Sequence, residues 1–246
     1  MTSGGFRAFA VFLALVLQST VAKPETFTFA IGDWPPFTSH DAPGFGLHAQ
    51  KVAETFRAAG HDVEFEFFPW LRSLEMTRYG SLPATFSWIH EKERTEDFIY
   101  PETPIDLASY VYFYRKDRFP DGLQDLSFKG IEARGLTVVG IPGYWYQAPM
   151  EKAGVIFQAV PQEEQAWNML ALGRADLYVE INRVGLTHSR AVLQDKADRI
   201  AMSEPIRIFP LYILFSKAHP AGARMKDIWD AFAEPEPVSS AGSTIR

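Results

Sequence analysis

The 246-residue sequence contains no cysteine. This absence excludes a disulfide framework, a cysteine nucleophile and a lipid anchor attached through a cysteine. A chain of this length can bury enough apolar surface to fold without cross-links, so the lack of disulfides is compatible with an oxidising compartment.

Metal-binding and basic patterns are also missing. The six histidines are scattered, and none forms the short spaced pair that is typical of a zinc site. We therefore predict neither a metal nor another cofactor. The motifs Ser-x-x-Lys and Gly-x-Ser-x-Gly do not occur. The net charge is −6 and there is no basic tract, which argues against nucleic acid, whose affinity depends largely on Lys and Arg.

An apolar run near the N-terminus, Ala8 to Leu17, is too short to span a bilayer. Arg7 precedes this run and small residues ending in Ala22 follow it. A basic start, a short apolar run and a small-residue end predict a secretory signal peptide at 1–22, with the mature chain starting at Lys23. We therefore expect a secreted, periplasmic protein.

The remainder alternates between strand-like and helix-like patterns, which is typical of an α/β fold. The predicted strands are 26–31, 63–68, 84–89, 107–115, 136–141, 176–181 and 209–216. The predicted helices are 46–59, 71–79, 162–172, 182–193 and a last amphipathic helix that includes 225–232. The tail 235–246 is predicted to be disordered.

Aromatic side chains follow the predicted strands of the first βαβαβ unit. This element order favours a parallel sheet, and ligands on such sheets bind at the carboxyl ends of the strands. Trp34, Phe37, Trp70 and Trp88 all fall at or near strand ends. We therefore predict that they line a ligand site.

Four short motifs resemble a known family. They are Trp34-Pro35-Pro36-Phe37, Gly44-Phe45-Gly46-Leu47, Glu93-Arg94 with Asp97-Phe98 and Pro101, and Leu172-Gly173-Arg174-Ala175-Asp176. Their order resembles that of the periplasmic solute-binding proteins of amino-acid-type ABC transporters (solute-binding protein family 3). The resemblance implies a type-II periplasmic binding fold with two lobes, each a mixed, mostly parallel sheet flanked by helices.

The resemblance also implies boundaries and roles. Lobe one would comprise 23–111 and 210–234, and lobe two 112–209, with a separate sheet and a hinge of paired strands. Arg94 would bind the carboxylate of an amino-acid-like ligand, because an arginine fork donates two parallel hydrogen bonds. Glu180 would receive its ammonium group, Trp34 would wall the pocket, and Tyr144 or Tyr146 would close over it. An ABC transporter permease would be the partner of this monomeric binder.

The sequence departs from the family pattern at several positions. Gly143 is followed by three aromatic residues instead of small hydroxyl residues, Phe86-Ser87-Trp88 replaces small residues, and Pro83 stands where an aspartate is common. The family's last helices are missing after Phe232. Two alternatives to transport stay open: a periplasmic dehydratase or lyase on the same fold, and a free solute sensor.

Overall fold

The computed structural model of the protein describes residues 24–235. The predicted signal peptide at 1–22 and positions 236–246 of the predicted tail lie outside the described residues. Within 24–235, no helix is long and apolar enough to cross a membrane.

Strands and helices alternate along the described chain. The first segment contains β1 (Thr26–Ile31), α1 (Leu47–Ala58), β2 (Asp62–Phe67), α2 (Trp70–Arg78), β3 (Ala84–Ile89) and β4 (Phe98–Ile99). The middle segment contains β5 (Asp106–Arg115), α3 (Phe128–Ala133), β6 (Thr137–Gly140), α4 (Gln147–Lys152), β7 (Ile156–Ala159), α5 (Glu163–Ala171), β8 (Leu177–Ile181), α6 (Asn182–Leu193) and β9 (Ile200–Met202). The chain returns through β10 (Arg207–Ser216) and α7 (Gly222–Phe232).

The elements predicted from sequence are present, with bounds within two residues of those expected. The elements α3, α4, β4, β7 and β9 were not predicted. Each of them has six residues or fewer, so neither a helical nor an alternating period is repeated often enough to be recognised.

The strands form one hydrogen-bonded path in the order β2-β1-β3-β10-β5-β8-β6-β7, with β4 added to β10 and β9 added to β5. We call β2, β1, β3 and β10 the first half of the sheet, and β5, β8, β6 and β7 the second half. In each half, two strand pairs are parallel and one is antiparallel. The βαβαβ units therefore build mixed, mostly parallel sheets, as their order predicted.

Two long strands, β5 and β10, join the halves. Residues 106–110 of β5 pair with 207–211 of β10, whereas 110–114 of β5 pair with β8 and 211–215 of β10 pair with β3. The expected pairing of the two strands is therefore present, and the ladder runs through it without a break. A fully separate sheet for 112–209 is not formed, because ten-residue strands are long enough to pair on both sides.

This register turns the carboxyl ends of the parallel strands of both halves toward the same central segment. Ile89, at the end of β3, lies opposite Leu211, and Ile181, at the end of β8, lies opposite Tyr110. The paired segments 106–110 and 207–211 lie between these points. We call the region between the two carboxyl edges, beside this paired segment, the cleft.

Helices cover both faces of the sheet because their apolar residues recur at helical spacing. In α1, the buried residues Ala49, Val52 and Phe56 lie on one stripe, and Trp229 of α7 belongs to the same core. On the opposite face of the first half, Leu74 of α2 packs with Phe98 and Leu214. In the second half, Trp167 and Leu170 of α5 pack with residues of β5, β6 and β8.

Candidate ligand-binding site

Two tryptophans and an arginine form a group at the carboxyl edge of the first half. Trp70 begins α2, directly after β2, and its ring meets that of Trp88 edge to face at 5.4 Å between centroids. The guanidinium of Arg94 lies 4.7 Å from the centre of the Trp88 ring. The indole Nε1 of Trp88 donates to Thr85 Oγ1 at 3.0 Å, which fixes the ring. Three residues predicted for the site thus lie together.

Arg94 is held by neighbours within its own loop. It lies in a 3-10 turn, Glu93–Glu96, and its side chain is 15% exposed. Nη1 donates to the carbonyl of Ile89 at 3.2 Å, and Nη2 lies 3.2 Å from Glu91 Oε1. The Glu91 side chain is 43% exposed, so this ion pair lies at the surface.

A glycine makes room for the Trp70 ring. A Cβ atom on Gly32, directly after β1, would lie 2.6 Å from Trp70 Cε2. Trp70 Nε1 also donates to the carbonyl of Asp33 at 3.2 Å. The loop after β1 and the start of α2 are therefore packed as one wall of the cleft.

The loop after β1 places Trp34 and Phe37 in different surroundings. Trp34 is half-buried, and its ring lies 4.7 Å from that of Phe37. Phe37 is buried and stacks on the imidazole of His48 at 4.3 Å and an interplanar angle of 18°. Trp34 is therefore partly exposed, whereas Phe37 is packed behind it.

A chain of hydrogen-bonded polar side chains begins at His48, the residue on which Phe37 stacks. His48 Nδ1 is 2.8 Å from Ser87 Oγ, and His48 Nε2 is 3.1 Å from Asp106 Oδ2. Arg183 Nη1 donates to the same Asp106 oxygen at 3.3 Å. The chain connects α1, the end of β3, the start of β5 and the start of α6. Because Asp106 and Arg183 belong to the second half and His48 and Ser87 to the first, the contact between His48 and Asp106 links the two halves.

Burial and pairing set the charges in this chain. Burial lowers the pKa of His48, and the hydrogen bond and charge of Asp106 only partly oppose that effect. Burial alone would raise the pKa of Asp106, but donors from His48, Arg183 and the Leu107 amide outweigh it and leave the pKa lowered. At neutral pH the cluster therefore contains a carboxylate, a guanidinium and a neutral imidazole.

In the second half, the loop after β6 carries the predicted tyrosines. Tyr144 is 41% exposed and its ring lies 5.7 Å from that of Tyr146, nearly parallel to it. Tyr146 is 1% exposed, and its hydroxyl accepts from the Ile141 amide at 3.0 Å. A Cβ on Gly140 would lie 2.8 Å from the Tyr146 ring. Only Tyr144 of this pair is exposed.

Glu180 lies near the end of β8 and is 4% exposed. Its Oε1 accepts from the Ile181 amide at 2.6 Å, and its Oε2 accepts from the Tyr178 hydroxyl at 3.1 Å. Burial, with the nearby carboxylate of Glu163, raises the pKa of Glu180 to about 7. Glu163 itself pairs with His188. All of these partners belong to the second half, and they enclose Glu180.

Sequence reasoning did not find four residues of this site: His48, Ser87 as part of a polar chain, Asp106 and Arg183. The pairs that touch are separated by 39 to 77 positions in the sequence, and their contact depends on the strand order and register. A local signal existed only for His48, which lies in the first turn of a helix whose start faces the carboxyl edge.

The geometry defines a class of fold, the two-lobed α/β fold of the type-II periplasmic binding proteins. Solved structures agree with it. The second substrate-binding domain of GlnP from Lactococcus lactis, in an open conformation, has a TM-score of 0.65 at 14% identity, over 86% of this chain and 89% of that chain. The L-cystine solute receptor of Neisseria gonorrhoeae, unliganded and open, has a TM-score of 0.65 at 17% identity, over 85% and 93%.

A ligand-bound structure is less similar. The arginine-bound form of truncated ArgBP from T. maritima has a TM-score of 0.55 at 15% identity, over 83% of this chain and 94% of that chain. No family model matches the chain, and no curated protein matches it in sequence. The likeness therefore concerns the fold.

Proposed function

We propose that the protein binds a small solute with a carboxylate group, an amino acid or a related acid, in the cleft between two lobes. Lobe one would contain 23–111 and 210–234, and lobe two 112–209, with the paired parts of β5 and β10 as the hinge. Closure would complete the ligand contacts and be recognised by the permease of an ABC transporter. We place this activity in the periplasm, after removal of residues 1–22.

The observation that supports this proposal most directly is the position of Arg94. Its guanidinium lies on the Trp88 ring, at the carboxyl edge that faces the cleft, and it is neither buried nor free in solvent. Arginine forks bind carboxylates with two parallel hydrogen bonds, and aromatic walls bury the body of a ligand. Trp34, Trp70 and Trp88 supply such walls from lobe one, and Tyr144 supplies one from lobe two.

The test is calorimetry with a ligand found by a thermal-shift screen of amino acids and small organic acids. Arg94→Ala should weaken binding by about 2–5 kcal/mol, because a ligand carboxylate would lose its charged partner. Arg94→Lys should also weaken binding, since an ammonium group cannot reproduce the bidentate fork. The loss should be smaller than for Arg94→Ala, because the positive charge is kept.

Arg224 provides a matched control. It also lies over an aromatic ring, 5.4 Å from the centre of Phe27, and it also pairs with a glutamate, Glu25. These residues lie at the opposite end of β1 from the cleft. Arg224→Lys should therefore leave ligand affinity unchanged. Equal affinities of the Arg94→Ala variant and the parent would contradict the proposed carboxylate site.

The runner-up is a dehydratase or lyase on the same fold. Such an enzyme needs a general acid that reaches its substrate. The raised pKa of Glu180 suits this chemistry, but both of its oxygens are bonded within its own half and its side chain is enclosed. These contacts favour binding over catalysis. If chromatography detected a new product formed from a bound solute, catalysis would be favoured over binding instead.

A further inference from the structure

We propose that Ser87 accepts a hydrogen bond from an N–H group of the bound solute, and that His48 and Asp106 fix the direction of its hydroxyl for this purpose. The inference rests on the proposed function and deepens it, because it names a second recognised group of the solute besides the carboxylate. It also assigns the N–H contact to lobe one, in place of Glu180 on lobe two.

Ser87 lies where such a contact is needed. It is half-buried, next to Trp88 at the end of β3, and the register against β10 shifts there because Ser87 forms a β-bulge. Its φ is 74°, a left-handed conformation that a residue with a side chain rarely adopts. Bulges re-aim side chains next to functional sites, and strained backbone is concentrated in such sites.

The neighbours of His48 determine which atom carries the hydrogen in its two hydrogen bonds, one with Asp106 and one with Ser87. Asp106 receives donors from Arg183 and from the Leu107 amide, so it is an ionised carboxylate that can only accept. His48 Nε2 must then carry the proton that points to Asp106. The neutral ring leaves Nδ1 as an acceptor, so the Ser87 hydroxyl donates to it. The lone pairs of Ser87 Oγ remain for the ligand.

The surroundings keep His48 in this state. The ring is enclosed by the stacked Phe37 ring, by Ser87 and by Asp106, and the positive charges of Arg183 and Lys51 both disfavour a second proton on it. The chain has the connectivity of a Ser-His-Asp relay, with the two ring nitrogens exchanged relative to serine proteases. Here the relay orients a hydroxyl for binding.

The tautomer can be tested without any ligand, by ¹⁵N NMR of the histidine side chains in the whole protein. In the parent, His48 should carry its hydrogen on Nε2. In Asp106→Asn, the amide nitrogen should face His48, because the Leu107 amide is fixed while the exposed Arg183 can turn to water. The hydrogen should then move to Nδ1. A parent His48 with its hydrogen on Nδ1 overturns the inference, whatever the protein binds.

The ligand contact is tested with matched probes: the L-amino acids and the corresponding carboxylates that lack the amino group, for example L-phenylalanine and 3-phenylpropionate. The parent should bind the amino acid of its best pair more tightly. Ser87→Ala and Ser87→Gly should each lose roughly tenfold in affinity for that amino acid, the usual effect of one lost hydrogen bond to a charged group. Neither should change the affinity for the amino-free partner.

Two variants at one position separate binding from folding. Glycine adopts a φ of 74° without strain, so Ser87→Gly should melt at a higher temperature than Ser87→Ala while losing the same affinity. Asp106→Asn should lose as much amino-acid affinity as Ser87→Ala, because the Ser87 hydrogen would turn toward the ligand. Ser81→Ala, at an exposed serine after α2, is the control and should match the parent.

The outcomes are distinct. Tight binding of an amino acid that is unaffected at Ser87 overturns this inference and leaves the carboxylate site at Arg94 standing. Equal affinity for both members of the best pair overturns it as well. Binding of no probe by the parent refutes the proposed function and this assignment together.

Discussion

The strand order is β2-β1-β3-β10 in the first half of the sheet and β7-β6-β8-β5 in the second, so each strand has a counterpart. The groups at the two carboxyl edges differ. In the first half, Trp34, Trp88 and Arg94 are partly exposed. In the second half, Tyr144 is exposed, but Tyr146, Tyr178 and Glu180 are buried and hydrogen-bonded to one another or to their own backbone. The same topology can therefore present side chains to a ligand or enclose them, depending on the loops that follow its strands.

The largest expected effect concerns the enclosed edge. A glutamate whose folded pKa of about 7 lies above its ordinary 4.5 binds more protons in the native state than in the unfolded state. The free energy of unfolding should therefore decrease from about pH 4.5 to about pH 7 and then level off. Glu180→Gln mimics the protonated form and should be more stable than the parent by roughly 3 kcal/mol at pH 8.

Urea unfolding at pH 5 and pH 8 measures this difference, with Glu204→Gln, an exposed position of the second half, as the control. The pair of Glu163 with His188 also raises the pKa of His188 and adds to the same trend in every variant. A Glu180→Gln protein with the full pH dependence of the parent would show that Glu180 is not enclosed in solution.

A smaller effect should distinguish the two halves: a glycine substitution in either half should lower stability, but only the one in the first half should also lower ligand affinity. Gly32 lies directly after β1, and Gly140 is the last residue of the counterpart strand β6. Each glycine makes room for an aromatic ring. Gly32→Ala and Gly140→Ala should each destabilise the fold by about 1–3 kcal/mol, because the new methyl group overlaps a ring. Gly32→Ala should also weaken ligand binding, since Trp70 must move.

Thermal unfolding and calorimetry on both variants test this contrast. Gly140→Ala is the matched control for binding, because Tyr146 is buried behind Tyr144. If the two variants lost ligand affinity equally, the inference that the ligand contacts the open edge of the first half rather than the enclosed edge of the second would be wrong.

The smallest effect compares the two core tryptophans, Trp229 in the first half and Trp167 in the second. Both are fully buried, but Trp229 Nε1 donates to the Thr103 carbonyl at 2.8 Å, whereas Trp167 Nε1 has no acceptor within residues 24–235. Trp229→Phe should therefore cost about 1 kcal/mol more than Trp167→Phe. Chemical denaturation measures both, and a larger loss for Trp167→Phe would disprove the argument.

Much of the fold could be predicted because its signals are local. The stripe of α1 and the alternation in β2 each lie within one element, and the βαβαβ order implies parallel pairing. The open part of the site was also accessible, since Trp34, Trp70 and Trp88 follow predicted strands. Arg94 was proposed from the family resemblance, and its role stays a prediction.

The rest depends on long-range geometry. Whether Glu180 faces the cleft or its own helices is decided by the packing of α5 and α6 against β8, which no local pattern contains. The polar chain from Ser87 to Asp106 requires the register of β3, β10 and β5. A continuous ladder through the hinge likewise follows from the lengths of β5 and β10 rather than from their composition.

The late return of β10 and α7 to the first half has a consequence for synthesis. The second half is built almost entirely from consecutive residues, so it can pack as soon as β9 has emerged. The first half is translated earlier, yet its central partner strand and Trp229 arrive only with the last part of the chain. The half that emerges first is therefore completed last, and until β10 arrives β3 has an unpaired edge that can pair with another chain.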